Sequence, residues 1–188
     1  MQNDRRETEI KLPLLDAETG ELLLERAGFR VSRARVFESN LILDSSDGRL
    51  RSGGMLLRIR ESGGNAILTF KGPSLPSRHK DREEIEIAVS NAMDLFEVLA
   101  RLGYGPAWRY DKFRTEFDRF GATGHVCLDE TPIGVFLELE GEPEWIDATA
   151  QELGFSERDY ILHSYGGLYF AHCERSGTKA GDMVFDPK

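Results

Sequence analysis

Cysteine is nearly absent from this chain of 188 residues, where Cys127 and Cys173 are the only two. Two thiols are too few for a disulfide framework, so reduced thiols in a cytoplasmic protein are the simplest expectation. Long apolar runs are missing too: none would span a bilayer, and the opening MQNDRRETEI has no apolar signal core. The chain also lacks positive net charge. Its 24 Lys and Arg face 33 Asp and Glu, a net charge of −9. That balance argues against non-specific binding to nucleic acid polymers or anionic membranes, while leaving room for a local basic patch. Proline is sparse. With 40% hydrophobic and 30% charged residues, the chain has the composition of a globular protein, long enough for one domain with a substantial core.

Hydrophobic periodicity divides the chain into elements. RRETEIKLPL holds a first strand. LLDAETGELLLERAGF reads as a helix burying Leu14, Leu15, Leu22, Leu23 and Ala27, with Gly28 as C-cap. ARVFESNLILDS is extended, and SSDGRLRSGG is a Gly- and Ser-rich turn region. MLLRIRES and NAILTFKG flank Gly63 and Gly64 as the two arms of a β-hairpin. GPSLPSRHKD, with two prolines and two serines, is expected to be a mobile loop. A strand REEIEIAV and a helix NAMDLFEVLARLGY with Asn91 as N-cap follow. Three more strands (AWRYDKFRTEFDRF, HVCLDE, GVFLELEG) precede two helices, EWIDATAQELGF and YGGLYFAHCER. A polar tail begins near Ser176, either frayed or docked only through Met183–Phe185. No internal repeat or domain linker is visible.

One pattern recurs in these strands. Glu7, Glu9 and Lys11 alternate with Thr8, Ile10 and Leu12, and Arg58 and Arg60 alternate with Leu57 and Ile59. Lys71 lies opposite Phe70 in parity, and Arg82, Glu84 and Glu86 oppose Ile85 and Ile87. Lys112 and Arg114 oppose Phe113; His125, Cys127 and Asp129 oppose Val126 and Leu128; Glu138 and Glu140 oppose Leu137 and Leu139. Each strand therefore has one greasy and one ionic face. An antiparallel sheet with one solvated face would explain alternation. It explains less well why the polar positions are almost purely ionic, with RIR and KFR basic and ELE acidic. That segregation suits a closed barrel with helices outside and an ionic lumen. Converging Arg and Lys side chains suit a polyanion, and carboxylates beside it call for a bridging hard cation, Mg²⁺ or Mn²⁺. The residues thus point to a metal-bound polyphosphate.

Taken in order, these segments resemble the signature of the CYTH superfamily, the triphosphate tunnel metalloenzymes, which includes class IV adenylyl cyclases, thiamine triphosphatases and inorganic triphosphatases. The opening Glu-x-Glu-x-Lys at Glu7, Glu9 and Lys11 resembles the family hallmark. LLRIR, LTFKGP, REEIEI, YDKFR, LDETPIGVFLELEG and SYGGLY follow in the family's order, up to about Tyr169. His163 stands before Ser-Tyr, where class IV cyclases tend to carry an acidic residue or Ser. The resemblance implies an α+β fold, an eight-stranded antiparallel closed β-barrel with flanking helices, over residues 1–175, with a tail at 176–188. It implies that Lys11, Arg58, Arg60, Lys71, Lys112 and Arg114 bind phosphate, and that Glu7, Glu9, Asp129, Glu138 and Glu140 bind Mg²⁺ or Mn²⁺. Arg82, Glu84 and Glu86 would be further lumen residues. The implied partner is a small triphosphate-containing substrate, met by a monomer or homodimer. Cyclisation of ATP to cyclic AMP and pyrophosphate, hydrolysis of a triphosphate, and non-catalytic polyphosphate binding all remain open.

Lys11 is the candidate catalytic residue. It could neutralise developing charge or, with a pKa depressed by neighbouring Arg residues, help deprotonate the nucleophile; alternatively it pairs with Glu7 or Glu9 for structure. His125, Cys127 and Asp129 share a face but lack the clustered Cys and His spacing of a zinc site, so they read as lumen liners. Trp108, Trp145 and the phenylalanines read as core rather than a base-stacking platform. SRHKDR reads as a solvated loop rather than a basic lid.

Overall fold

The computed structural model describes residues 6–186, so the expectations for the first five residues and the last two of the tail lie outside the described residues. Eight strands close into an antiparallel barrel in the order β1-β5-β4-β3-β2-β6-β7-β8. They are β1 (Arg6–Leu14), β2 (Arg30–Ser45), β3 (Leu56–Ser62), β4 (Asn65–Lys71), β5 (Lys80–Val89), β6 (Tyr104–Asp118), β7 (His125–Thr131) and β8 (Gly134–Glu140). The helices are α1 (Ala17–Arg26), α2 (Arg49–Ser52), α3 (Ala92–Arg101), α4 (Pro143–Glu152) and α5 (Tyr165–Ser176). No helix among the described residues is long and apolar enough to cross a membrane.

The core lies outside the barrel wall. Ile10 and Leu12 of β1, Val126 and Leu128 of β7, and Leu137 and Leu139 of β8 pack outward against Leu24, Ile146 and Ala150 of α1 and α4. These are the apolar partners, by parity, of the ionic positions, so burying the greasy face under helices turns the charged face inward. Gly20 permits the close approach of α1: a Cβ there would lie 2.6 Å from a Leu14 methyl and 2.8 Å from a Leu128 methyl. The β3–β4 hairpin turns on Gly63 and Gly64 at φ +57° and +81°, where a two-residue turn needs positive φ at both central positions.

Three expectations are corrected. The first helix does not bury Leu15 and Leu22, which are 87% and 46% exposed. Strand β1 runs through Leu14, and Asp16 caps α1 by accepting from Thr19 N–H at 2.8 Å. Counted from that cap, the inward positions are Gly20 and Leu24, with Leu23 and Ala27 partly packed. The turn region before β3 contains the short helix α2, whose Leu50 and Arg51 amides donate to the Asp44 carboxylate. The basic loop is solvated only in part. His79 and Lys80 are buried; His79 Nε2 lies 2.8 Å from Asp147 of α4, and Arg78 pairs with the same carboxylate at 3.0 Å.

The barrel loosens at one end, and the C-terminal chain fills the gaps. Beyond Glu9, β1 no longer pairs with β5, and Lys11 exchanges both backbone hydrogen bonds with Ile161. Before Phe113, β6 has no β7 partner, and Met183 takes that edge, accepting from Asp111 N–H and donating to Arg109 C=O. Met183 is 1% exposed, packed with Tyr110, Phe136 and Tyr165. The tail is therefore docked, and Phe185 also meets Phe113 at 5.2 Å between ring centroids.

Candidate functional site

The barrel encloses a cavity of about 1360 Å³, whose lining extends from the strands to α2 and the start of α5. Period-two alternation delivers its lining strand by strand. Glu7, Glu9 and Lys11 come from β1, Arg58 and Arg60 from β3, Lys71 from β4, and Arg82, Glu84 and Glu86 from β5; Lys112 and Arg114 come from β6, and Glu138 and Glu140 from β8. Every site residue named from the sequence lies on this wall except Asp129. His125 and Cys127 line it as well. Strands β1 and β8 are neighbours, with Glu9 opposite Glu140 and Lys11 opposite Glu138. Their carboxylates form an acidic wall, and in the ring of strands β8 stands across from the Arg-bearing β3.

The charges are interlocked. Lys11 Nζ lies 2.9 Å from both Glu9 and Glu138, and Arg114 reaches Glu138 at 2.7 Å. Lys71 pairs with Glu7 and, at 3.0 Å, with Glu84, while Lys80 pairs with Glu9. On the other side, Arg58 donates to Tyr110 and Thr69 hydroxyls, both at 3.1 Å, and Arg60 meets Glu86 at 3.2 Å. Asp129 sits beneath this layer at 0% exposure. It accepts from Lys112 at 2.9 Å, from two Arg114 nitrogens at 2.7 Å, and from the Tyr165 hydroxyl at 2.6 Å. Its oxygens are already occupied, so it fixes two lumen cations in place rather than facing the cavity. Two buried guanidinium N–H groups, Nε of Arg58 and Nε of Arg82, meet no hydrogen-bond acceptor among the described residues. A buried donor left open costs free energy until an acceptor arrives.

A family model described as CYTH domain matches residues 5–165. The chain belongs to the CYTH family. A Methanocaldococcus jannaschii protein bearing the name "putative adenylate cyclase" is 28% identical over 134 residues, which is 71% of this chain and 75% of that one. A Pyrococcus horikoshii protein of known structure is 25% identical, with a TM-score of 0.74 over 88% of this chain and 99% of its own. A Hippeastrum protein, described as an adenylyl cyclase candidate with a dominant triphosphatase activity, shares the fold at 21% identity and a TM-score of 0.62. That likeness covers 93% of this chain and 97% of that one.

The electrostatics of this CYTH barrel are set by burial working against neighbours. Burial alone would lower the Lys11 pKa, yet Glu138 and Glu9 outweigh it and hold the ammonium charged well above its usual range. The depressed pKa that a base role for Lys11 would need is therefore not what this lumen produces. Lys80 is the depressed lysine, brought down to about 8 by burial and by Lys11, against the pull of Glu9. On the acidic wall, burial and the nearby Glu7, Glu138 and Glu9 push Glu140 up to about 7. Burial and a hydrogen bond with Glu7 push Glu84 up to about 8. Two carboxyls held near neutrality mark a local surplus of negative charge. Among the described residues no three His, Cys, Asp or Glu side chains already stand as a metal-ligand group.

Sequence reasoning missed several members of the CYTH lumen. Lys80 shares parity with Arg82, Glu38 is buried at 3.5 Å from Lys112, and Tyr110 shares parity with Lys112. The same alternation would have found all three. Tyr165 had no such signal, because a helix terminus delivers it to the lumen. Its ring lies 5.0 Å from Lys11 Nζ and 5.4 Å from Lys112 Nζ. Trp108, expected in the core, packs against the buried cluster of Tyr110, Phe136, Tyr165 and Met183 and also lines the cavity.

Proposed function

We propose that this lumen binds a triphosphate group together with a divalent cation and catalyses its cleavage. The observation that carries the reading is the pair of buried, acceptor-less guanidinium N–H groups of Arg58 on β3 and Arg82 on β5, in a lumen lined by further Lys and Arg side chains and by the carboxylates of β1 and β8. Phosphate oxygens are the acceptors that such donors match.

Lys11, Arg58, Arg60, Lys71, Lys112 and Arg114 bind and orient the phosphate chain, and Lys80 and Arg82 extend the set. Asp129 is the positioning residue that aims Lys112 and Arg114. Lys11 stays protonated and neutralises charge that develops on the reacting phosphate. Glu7, Glu9, Glu138 and Glu140 supply hard oxygen donors that fit Mg²⁺ or Mn²⁺, and the raised pKa of Glu140, from burial and from its acidic neighbours, is one that added positive charge would lower. Such a cation, when bound, offsets phosphate charge and strengthens electrophilicity at phosphorus. The group placed in line with the reacting phosphorus decides the product. A ribose hydroxyl attacking the α-phosphorus gives a cyclic nucleotide and pyrophosphate; water attacking the terminal phosphorus gives orthophosphate. The name of the Methanocaldococcus relative agrees with the first outcome, and the description of the Hippeastrum protein with the second.

The test is a panel of ATP, GTP, tripolyphosphate and thiamine triphosphate with Mg²⁺, with Mn²⁺ and with excess EDTA, and identification of products. Turnover with metal and none in EDTA is expected. Full turnover in EDTA would overturn the metal role, and tight binding without turnover would make the chain a binding module.

A further inference from the structure

The segment SRHKDR runs into β5, where alternation sends neighbouring side chains to opposite faces. Lys80 lines the lumen, and His79, one residue earlier, turns to the outer layer and meets α4. There His79 is 2% exposed, with Nε2 2.8 Å from one oxygen of the Asp147 carboxylate. The Tyr160 hydroxyl donates to the same oxygen at 3.0 Å, and Arg78 pairs with the other at 3.0 Å. Burial works against the charge on Asp147, but the hydrogen bonds from His79 and Tyr160 outweigh it and hold its pKa below the usual value. An ionised carboxylate only accepts, so Nε2 of His79 carries the hydrogen.

Lys80 stands at a weak point of the barrel. It faces Glu9 in the last rung between β1 and β5, beyond which Ile161 takes the place of β5 beside Lys11. Its ammonium donates to the same Glu9 oxygen that Lys11 Nζ reaches at 2.9 Å. Two like charges therefore share one acceptor and repel each other. A flexible lysine stem in that setting keeps one position only if the backbone beneath it is fixed, and the ladder to β1 ends there.

We infer that His79 is a positioning residue for Lys80: its hydrogen bond to Asp147 anchors the start of β5 to α4 and so fixes where the Lys80 ammonium stands in the phosphate-binding lumen. This rests on the triphosphate reading above, in which Lys80 belongs to the phosphate-binding set. One planar peptide unit separates the anchor from the lysine, so a shift of the ring is passed on to the Lys80 backbone. Tyr160 and Arg78 hold the Asp147 carboxylate in turn, which keeps the anchor point from rotating away.

The experiment measures equilibrium binding of a non-cleavable methylene-bridged analogue of tripolyphosphate, with Mg²⁺, to the full chain and its variants, with thermal melts alongside. Lys80→Met should weaken binding about 10- to 100-fold, the range for loss of a hydrogen bond to a charged group. His79→Leu, which loses the donor, should weaken it about 5-fold or more within that range. His79→Gln, which keeps an N–H near the place of Nε2, should bind close to wild type. In the Lys80→Met background, His79→Leu should cost no further affinity, although it lowers the melting temperature in both backgrounds. Asp147→Ala removes the acceptor at a side chain 31% exposed, and repeats the comparison if His79→Leu does not fold. Unchanged affinity in His79→Leu or in Lys80→Met, or an equal loss from His79→Leu with and without Lys80, overturns the inference and leaves the triphosphate reading standing. Failure of the wild-type chain to bind the analogue overturns both.

Discussion

Asp129→Ala tests the arrangement of the lumen most directly. The carboxylate is fully buried and accepts from Lys112, twice from Arg114, and from Tyr165. Removing it leaves a buried ammonium and a buried guanidinium short of counter-charge. Glu138 still meets Arg114 at 2.7 Å, but Lys112 keeps only Glu38 at 3.5 Å. Breaking a buried pair from one side costs about 3–5 kcal/mol. For a chain of this size that corresponds to a drop of roughly 6–20 °C in Tm. Urea denaturation and a thermal melt at pH 7 and low salt measure it. The pH dependence has a definite sign. Burial opposes ionisation of Asp129, but Arg114 and Lys112 overcome it and lower its pKa in the folded state. The wild type therefore holds this stability above the unfolded-state value and loses it as pH falls through the lower folded value. Asp129→Ala should lack that acid-side loss. A polyanion replaces the missing charge, so tripolyphosphate should raise the Tm of the variant more than that of the wild type. A variant within about 2 °C of wild type, for a loss then below roughly 1 kcal/mol, would refute the view that Asp129 anchors the two cations.

Lys11→Met should lower turnover about 100- to 1000-fold, as loss of a positioned charge at a reacting phosphate does. It should also destabilise by several kcal/mol, since Glu9 and Glu138 lose the cation they share; near-normal turnover would remove Lys11 from the chemistry. Glu140 titrates at about 7 when folded, so the protein should lose stability as pH rises from the ordinary carboxylate range through 7. Glu140→Gln should reduce that slope, and Mg²⁺ should flatten it in wild type; identical pH–stability curves for wild type and variant would refute the assignment. Met183→Ala should cost about 2–5 kcal/mol in chemical denaturation, because a fully buried side chain leaves a cavity beside Tyr110 and Phe136; a loss below about 0.5 kcal/mol, typical of surface changes, would mean that the tail is only loosely attached.

Much of the lumen is legible in the sequence, because a strand's period of two is a local property. Glu9 and Lys11 against Ile10 and Leu12, or Glu138 and Glu140 against Leu137 and Leu139, must part to opposite faces whatever the fold. The two-glycine turn at Gly63 and Gly64 and the cap at Asn91 are local in the same sense, and each stands where its residues dictate. Leu15 departs from its expected burial because helical periodicity does not reveal where a strand hands over to a helix. The Asp16 cap, one residue later, makes that decision.

The sequence by itself thus determined which residues face inward and what signs they carry, since alternation and side-chain chemistry travel with the chain. Only the tertiary structure decided which of those charges meet. Ring closure buried Glu140 near Glu7, Glu138 and Glu9 and so pushed its pKa up, and it sank Asp129 beneath Lys112 and Arg114. It also brought Tyr165, Ile161 and Met183 from the C-terminal third to the loosened end of the barrel. The reason is physical: burial, pKa and hydrogen-bond partners depend on atoms tens to more than a hundred residues apart in sequence, and no local pattern records that distance.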